Sequence, residues 1–121
     1  PIHSSAASDV YKRQLQMGAV SALSQSKDWF KNLNFEYSKR RKLVWELADK
    51  LNCDFSRSSS GMFVWAKIKS NKTSIDYVDS LLNDKGIFIA PGSIFGSNGE
   101  GYVRISLCNS ETNIKKAISR L

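Results

Sequence analysis

Hydrophobic side chains in the first half of the chain recur at three- and four-residue steps, the spacing of one face of an α-helix. Small and apolar residues predict a short helix over 15–23. A second helix is predicted to begin near Ser26 and Asp28, whose side chains can accept hydrogen bonds from free amides, and to run to about Leu51. Its apolar positions are Phe30, Leu33, Tyr37, Val44, Leu47, Ala48 and Leu51.

The hydrophobic period changes after this second helix. Residues 62–68 follow Gly61, are rich in β-branched and aromatic side chains, and predict a strand. Thr73, with Asp76 three residues later, is a variant of the capping box and predicts the start of a third helix. Gly86 is suited to end that helix in the left-handed conformation. The buried face of the helix is predicted to be Tyr77, Val78, Leu81 and Leu82.

The last third of the chain predicts two more strands and a final helix. The apolar run 87–90 is typical of a strand buried on both sides, and the glycine-rich segment 91–101 predicts a loop. Residues 102–107 alternate, which predicts a strand with two distinct faces. One face carries Val103, Ile105 and Leu107, and the other carries Tyr102, Arg104 and Ser106. A helix is predicted to begin at Ser110 and Glu111, with a buried stripe of Ile114, Ala117, Ile118 and Leu121.

The predicted order of elements is helix, long helix, strand, helix, strand, strand and helix. We therefore predict an α+β fold in which helices pack on a small sheet. Residues 15–52 would contain the first helices, including the long one, and residues 53–121 would form a small α+β domain.

Composition limits the possible functions of the chain. Its 121 residues are 41% hydrophobic and 24% charged, which is ordinary for a globular protein. No apolar run approaches the roughly 20 residues that cross a bilayer, and no secretory signal is visible, so no membrane partner is predicted. Cys53 and Cys108 lie far apart in sequence, which favours a reducing compartment and a cytoplasmic location over a disulfide framework.

The net charge of +7 comes in large part from one run, KRRK at 39–42, inside the predicted long helix. We interpret this run as a solvated helix face. A nucleic-acid site would place lysine and arginine among exposed aromatics or glycines, and no such segment is present. No nucleic-acid partner is therefore predicted.

Residues 1–14 have no apolar period and no capping residue. Ser4 to Gln14 can be back-translated into a transposase-type sequencing adapter. We therefore interpret residues 1–14 as an adapter artefact that takes no part in the native fold, and we expect native sequence to begin at Leu15 within a longer gene. The only histidine, His3, falls in this segment, so neither a histidine-based catalytic triad nor a histidine zinc ligand is predicted.

Four segments together resemble one enzyme family. They are LQMGAVSAL at 15–23, GMFVW at 61–65, GIFIAPGSIFG at 86–96 and GEGYVRISL at 99–107. In this order and at these spacings, and with the long helix that carries Tyr37, Arg40 and Arg41, they resemble class I and II aminotransferases over nearly all of 15–121.

The resemblance implies the C-terminal small domain of a fold-type I enzyme, with helices packed on a three- to four-stranded sheet. It implies pyridoxal phosphate as cofactor, an amino acid and a 2-oxo acid as substrates, and a homodimer. The family's Schiff-base lysine and most of its cofactor contacts lie upstream of the segment that matches Leu15. Neither Lys67 nor Lys85 is therefore expected to be catalytic, and the chain alone is expected to be inactive.

The resemblance also implies roles for two residues of this chain. Arg104 occupies the position of the arginine that holds the substrate α-carboxylate, and Phe63 that of an aromatic residue lining the substrate side of the cleft. The loop 91–96 matches the loop that moves with domain closure. The structural alternatives are a salt bridge from Arg104 to Glu100, core packing for Phe63, and turn chemistry alone for the loop.

Transamination is the leading functional hypothesis, and two others stay open at this point. The same fold serves β-lyases and aminocyclopropane-carboxylate synthases, which use the same carboxylate-binding arginine. A freestanding basic α+β module that binds RNA or a protein is a hypothesis of a different class. Within the aminotransferases, the GMFVW segment is similar to enzymes for aliphatic amino acids or diaminopimelate.

Overall fold

The computed structural model describes the backbone of residues 3–121 and the side chains of residues 8–121. Pro1 and Ile2, the first residues of the segment interpreted as adapter-derived, lie outside the described residues. The chain divides into two compact units, of which the first ends at Asn34 and the second is Phe35–Leu121.

Helices form the first unit. Helix α1 is His3–Leu23, so it begins well before Leu15, where the sequence predicts a helix. Helix α2 is Lys27–Lys50, and the backbone amide of Trp29 donates to the Ser26 hydroxyl over 3.2 Å, which confirms the predicted start. Every side chain from residue 8 to residue 36 is exposed, including Phe30 and Leu33 of the predicted apolar stripe. Burial along α2 therefore begins only at Tyr37.

A four-stranded antiparallel sheet forms the centre of the second unit. Its strands are β1 (Cys53–Phe55), β2 (Phe63–Ile68), β3 (Ala90–Pro91) and β4 (Tyr102–Ser106), in the order β1-β2-β4-β3. Arg104 of β4 lies opposite Trp65 of β2 on one side and Ala90 of β3 on the other.

The core lies between one face of this sheet and the helices of the second unit. Helices α3 (Ser74–Lys85) and α4 (Glu111–Ile118) contribute to it together with the second half of α2. Burial alternates along β4 as the sequence predicts, and it alternates along β2 as well. The most buried hydrophobic side chains are Val44, Ala48, Val64, Ala66, Val78, Val103 and Leu107.

Both predicted ends of α3 are confirmed. The amide of Asp76 donates to the Thr73 hydroxyl over 3.1 Å, and the Thr73 hydroxyl donates to the Asp76 carboxylate over 2.7 Å. Gly86 has φ 62° and ψ 32°, and its amide bonds to carbonyls in the last turn of α3. Of the predicted buried face, Val78 and Leu81 are buried, whereas Leu82 is 42% exposed.

Two features of the sheet differ from the prediction. The sequence predicts only the end of the long helix at β1, but this strand pairs with β2, with Cys53 opposite Ile68. The prediction of a strand over 87–90, buried on both sides, is wrong, since Phe88 is 70% exposed and pairing begins at Ala90. The strand is at the sheet edge, where one side is open and a proline is tolerated.

The interpretation of 39–42 as a solvated helix face is wrong for Arg40, which makes a part-buried contact, whereas Lys39, Arg41 and Lys42 keep contact with solvent. Arg40 Nη1 donates to the carbonyl of Leu107 over 3.4 Å, and Arg41 Nη2 donates to that of Gly61 over 2.8 Å. Lys39 Nζ lies 2.7 Å from the Glu36 carboxylate. The two arginine side chains therefore tie α2 to the segments at the ends of β2 and β4.

The predicted loop 91–101 contains two short 3₁₀ helices, Gly92–Phe95 and Ser97–Gly99. Their backbones meet at two glycines, Gly92 at the start of the first helix and Gly99 at the end of the second, a contact we call the glycine crossing. A Cβ built on Gly92 would overlap the carbonyl oxygen of Gly99, and a Cβ built on Gly99 would overlap that of Gly92. Only glycine permits so close an approach of two backbones.

Within residues 3–121, no helix is long and apolar enough to cross a membrane. The same residues contain no group of three side chains placed to hold a metal ion.

Candidate functional site

The outer face of the sheet carries the residues that the sequence analysis selects. In β4, Arg104 alternates with the buried Val103 and Ile105, so its side chain points away from the core. In β2, the same alternation leaves Phe63 44% exposed and Trp65 40% exposed on that outer face.

Two phenylalanine rings contact the guanidinium of Arg104. Its Cζ lies 4.1 Å from the ring centroid of Phe63 and 4.1 Å from that of Phe95. Phe63 comes from β2, which neighbours β4, and Phe95 comes from the 3₁₀ helix that follows β3, so the two rings are supplied by different elements. We call Arg104, Phe63 and Phe95 the arginine cluster. Each such contact contributes about 0.5–1 kcal/mol at an exposed site and more when it is desolvated.

The rings leave the hydrogen-bonding capacity of Arg104 unused. A guanidinium carries five N–H donors at the edge of its plane, whereas aromatic rings stack on its faces. Among the residues whose side chains the structure describes, Arg104 makes no salt bridge. The cluster can therefore accept an anion along the guanidinium edge, and a carboxylate matches that edge with two parallel hydrogen bonds.

The predicted structural alternative, a salt bridge from Arg104 to Glu100, is not formed. One carboxylate oxygen of Glu100 accepts from the backbone amides of Ser74 at 2.7 Å and Gly101 at 3.1 Å. The same oxygen lies 3.1 Å from the Ser74 hydroxyl. Ser74 is the first residue of α3, so its amide has no partner within the helix. Its hydrogen bond to the Glu100 carboxylate lowers the pKa of that carboxyl.

Aromatic contacts extend from the cluster across the outer face. Trp65 meets Phe95 edge-on at 6.0 Å and 68°, and it stacks on Tyr102 at 5.5 Å and 14°. Phe95 itself is 46% exposed, and its neighbour Ile94 is 63% exposed. An exposed apolar surface of this kind is typical of a ligand or protein contact.

The structure thus brings Arg104 and Phe63 together. Phe63 is outside the buried core, so core packing does not explain its position. The substrate roles of Arg104 and Phe63 stay predictions. Nothing in the sequence alone distinguishes Phe95 and Trp65 as site residues, although both lie in the matching segments GIFIAPGSIFG and GMFVW.

The described lysines do not fit the covalent attachment of pyridoxal phosphate. A lysine amine becomes nucleophilic when burial or a nearby cation lowers its pKa. Lys67 and Lys85 are exposed. Lys39 is partly buried, but its hydrogen bond to the Glu36 carboxylate raises its pKa, which is the opposite direction. No catalytic step through that cofactor can therefore be assigned to these lysines.

Comparison with known proteins identifies relatives across most of the chain. The family model "Aminotransferase class I and II" matches residues 3–121. An LL-diaminopimelate aminotransferase of Maridesulfovibrio salexigens is 36% identical over 107 residues, which cover 88% of this chain and 28% of that protein. An aspartate aminotransferase of Pyrococcus abyssi is 30% identical over 110 residues, with the same coverage of 88% and 28%.

Solved structures give the same result for the fold. The aromatic aminotransferase from Pyrococcus horikoshii OT3 matches with a TM-score of 0.74 and 30% identity, covering 84% of this chain and 28% of that one. The substrate-bound structure of BacF from Bacillus subtilis matches with a TM-score of 0.74 and 31% identity, covering 88% and 28%. The predicted α+β fold, that of the C-terminal small domain of a fold-type I aminotransferase, is confirmed. The chain spans about 28% of the length of these relatives.

Proposed function

This chain belongs to the class I and II aminotransferase family, and we propose that it supplies the substrate carboxylate site of such an enzyme. In this proposal, the guanidinium of Arg104 binds the α-carboxylate of an amino acid or a 2-oxo acid. The observation that carries the proposal is the arginine cluster, because it holds a cation in contact with two rings while its N–H donors are unpaired among the described side chains.

A bidentate contact would fix the direction of the substrate as well as its charge. Two parallel N–H bonds hold the plane of the carboxylate and so restrict rotation of the substrate about its Cα. Restricting a bound substrate to a reactive geometry is one of the largest contributions that an enzyme makes to rate. Phe63 would add an apolar wall beside the same carboxylate, since its ring already contacts the guanidinium.

The complete enzyme would transfer an amino group between an amino acid and a 2-oxo acid with pyridoxal phosphate as cofactor. The lysine that attaches pyridoxal phosphate would lie outside this chain, since no described lysine fits that role. We further propose a homodimer in the cytoplasm. The homodimer rests on the family resemblance, and the location rests on the free thiols of the buried Cys53 and the exposed Cys108.

LL-Diaminopimelate is the first substrate to test. Two arguments support it: the similarity of the GMFVW segment to enzymes for aliphatic amino acids or diaminopimelate, and the named activity of the relative from M. salexigens. Aspartate and an aromatic amino acid, named for other relatives, complete the panel.

Replacing Arg104 by lysine in the complete enzyme tests the carboxylate site. Lysine keeps the charge but loses the two-pronged edge, so we expect Arg104→Lys to lower kcat/KM at least about 100-fold, or roughly 2.7 kcal/mol of transition-state binding. Circular dichroism and cofactor absorbance should stay unchanged.

The matched control is Arg57→Lys. The Arg57 guanidinium also contacts two rings, those of Phe55 and Trp45, but it is paired with the Asp49 carboxylate. We expect its replacement to leave kcat/KM unchanged. Near-normal activity of Arg104→Lys toward every amino acid in the panel would remove Arg104 from the substrate site.

A further inference from the structure

We propose that Phe95 is a positioning residue, whose ring fixes the guanidinium of Arg104 so that its N–H edge faces the substrate carboxylate. This inference rests on the proposed function of Arg104 and extends it to a loop residue. Phe95 stands at the end of the 3₁₀ helix Gly92–Phe95, outside the sheet. It nevertheless contacts Arg104 at the same distance as Phe63 does, 4.1 Å from ring centroid to Cζ.

Phe95 is itself held in place by aromatic contacts. Its ring meets Trp65 edge-on at 6.0 Å, and Trp65 stacks on Tyr102 at 5.5 Å. Tyr102 and Trp65 belong to β4 and β2, so the ring of Phe95 rests against the sheet. This arrangement restricts the ring even though 46% of its surface is exposed.

The backbone that carries Phe95 is also fixed at several points. The glycine crossing of Gly92 and Gly99 holds the two 3₁₀ helices against each other. Gly96 directly follows Phe95 with φ 125°, a left-handed value that favours glycine, and its amide donates to the Ser93 carbonyl over 3.2 Å. The hydrogen bond from the Gly101 amide to the Ser74 hydroxyl then anchors the far end of the loop at 2.8 Å.

A fixed ring matters because a free arginine side chain samples many rotamers. Ordering it costs rotamer entropy, which would otherwise be lost when the carboxylate binds. The guanidinium is therefore held by rings from two elements, while its N–H donors make no hydrogen bond to the described side chains. Removing the ring of Phe95 takes away one of these two contacts and should weaken binding of carboxylate-bearing substrates specifically.

Kinetics of the complete enzyme with and without the substrate carboxylate test this role. The probes are LL-diaminopimelate and cadaverine, the diamine that lacks both carboxylates. We expect Phe95→Leu to raise KM for diaminopimelate about tenfold with a smaller change in kcat. Turnover of cadaverine should change less than about twofold, since it has no carboxylate to position. Phe95→Tyr keeps the ring and should behave like the wild type.

The matched control is Phe35→Leu. The Phe35 ring also stacks on a cation, at 5.0 Å from Lys39 Nζ, and it is 63% exposed. Phe35→Leu removes an aromatic contact far from Arg104 in sequence, so it should change the kinetics of neither diaminopimelate nor cadaverine. A loss of turnover by Phe95→Leu that is equal for both probes would show a general packing role and overturn the inference.

A double-mutant cycle separates this inference from the function on which it rests. In an Arg104→Lys background, Phe95→Leu should add less than about a twofold effect, because its ring acts through Arg104. If Arg104→Lys has normal kcat/KM for diaminopimelate, the proposed function fails. If Arg104→Lys has lowered kcat/KM while Phe95→Leu has normal kinetics, or if the two effects simply add, only the role of Phe95 fails.

A measurement without turnover gives independent evidence in the complete enzyme. Two aromatic rings shift the NMR signals of the Arg104 side chain through their ring currents. Phe95→Leu should move those signals toward the values of an unstacked arginine, whereas Phe35→Leu should not. Unchanged Arg104 signals in Phe95→Leu would refute the contact itself.

Discussion

Replacing Ser74 by alanine removes one hydroxyl group from the buried start of α3. Ser74 has 0% of its surface exposed. Its hydroxyl accepts from the Gly101 amide over 2.8 Å and lies 3.1 Å from the Glu100 carboxylate. The hydroxyl therefore connects α3 to the end of the loop that carries Phe95.

The expected cost follows from these bonds. One buried hydrogen bond contributes about 0.5–1.5 kcal/mol, and a buried donor left without its partner costs about 1–3 kcal/mol. The Gly101 amide retains a second acceptor at 3.1 Å in Glu100, which limits the penalty. Alanine leaves almost no cavity, so we expect Ser74→Ala to lower the free energy of unfolding by about 1–2 kcal/mol.

Urea unfolding of the 121-residue chain, followed by circular dichroism, measures this loss. Ser80→Ala is the matched control, because Ser80 lies in the same helix and its hydroxyl bonds to the Asp76 carbonyl and to Lys72 at exposed positions. We expect that control to cost less than about 0.5 kcal/mol. Equal losses for the two variants would refute the reasoning that the buried hydroxyl holds the loop.

Three further outcomes are expected. Because hydrogen bonds lower the pKa of Glu100 in the folded chain, its contribution to stability is present above its ordinary pKa of 4.5 and is lost as the pH falls through the lowered value. Urea titrations over that range should show that the free energy of unfolding falls less with acid in Glu100→Gln than in the wild type. The same dependence on pH in both proteins would contradict this. Gly99→Ala should cost at least about 2 kcal/mol because its Cβ would overlap the Gly92 backbone, whereas Gly18→Ala, with nothing within 4 Å, should not destabilise the chain; equal unfolding midpoints would disprove the crossing argument. Sequencing reads that cross the codon of Leu15 should continue upstream into coding sequence that differs from the codons of 4–14. Independent reads that carry those codons within a longer gene would contradict the adapter interpretation.

The elements that sequence analysis predicts correctly are those determined by local chemistry. The capping bonds of Thr73 and the left-handed Gly86 depend on residues within one turn of α3. The alternation of β4 needs only a two-residue period, and it places Arg104 on the face opposite Val103 without any knowledge of the neighbouring strands. Such signals are readable because the interacting residues are close in sequence.

The features that the sequence does not predict depend on residues that are distant along the chain. Strand β1 has three residues, too few for a period, and it exists because Cys53 and Phe55 pair with β2. Charge alone assigns the arginines of 39–42 to solvent, yet Arg40 reaches a carbonyl 67 residues away. A long cationic side chain can cover such a distance with its apolar stem, so charge alone does not predict exposure.

The arginine cluster has the same origin, and this explains why only part of the candidate site could be predicted. Resemblance assigns Arg104 and Phe63 because each occupies a matching position in a strand. Phe95 joins them only because the glycine crossing folds the loop back toward β4, and that crossing depends on two glycines whose spacing alone is ordinary for a turn. The loop glycines therefore have a consequence beyond turn formation, since they bring a third residue of the cluster to the guanidinium. An anion site of this kind forms where a cation from a strand, Arg104, meets an aromatic ring from a loop, Phe95. Neither segment alone determines the direction in which the N–H edge of the guanidinium points.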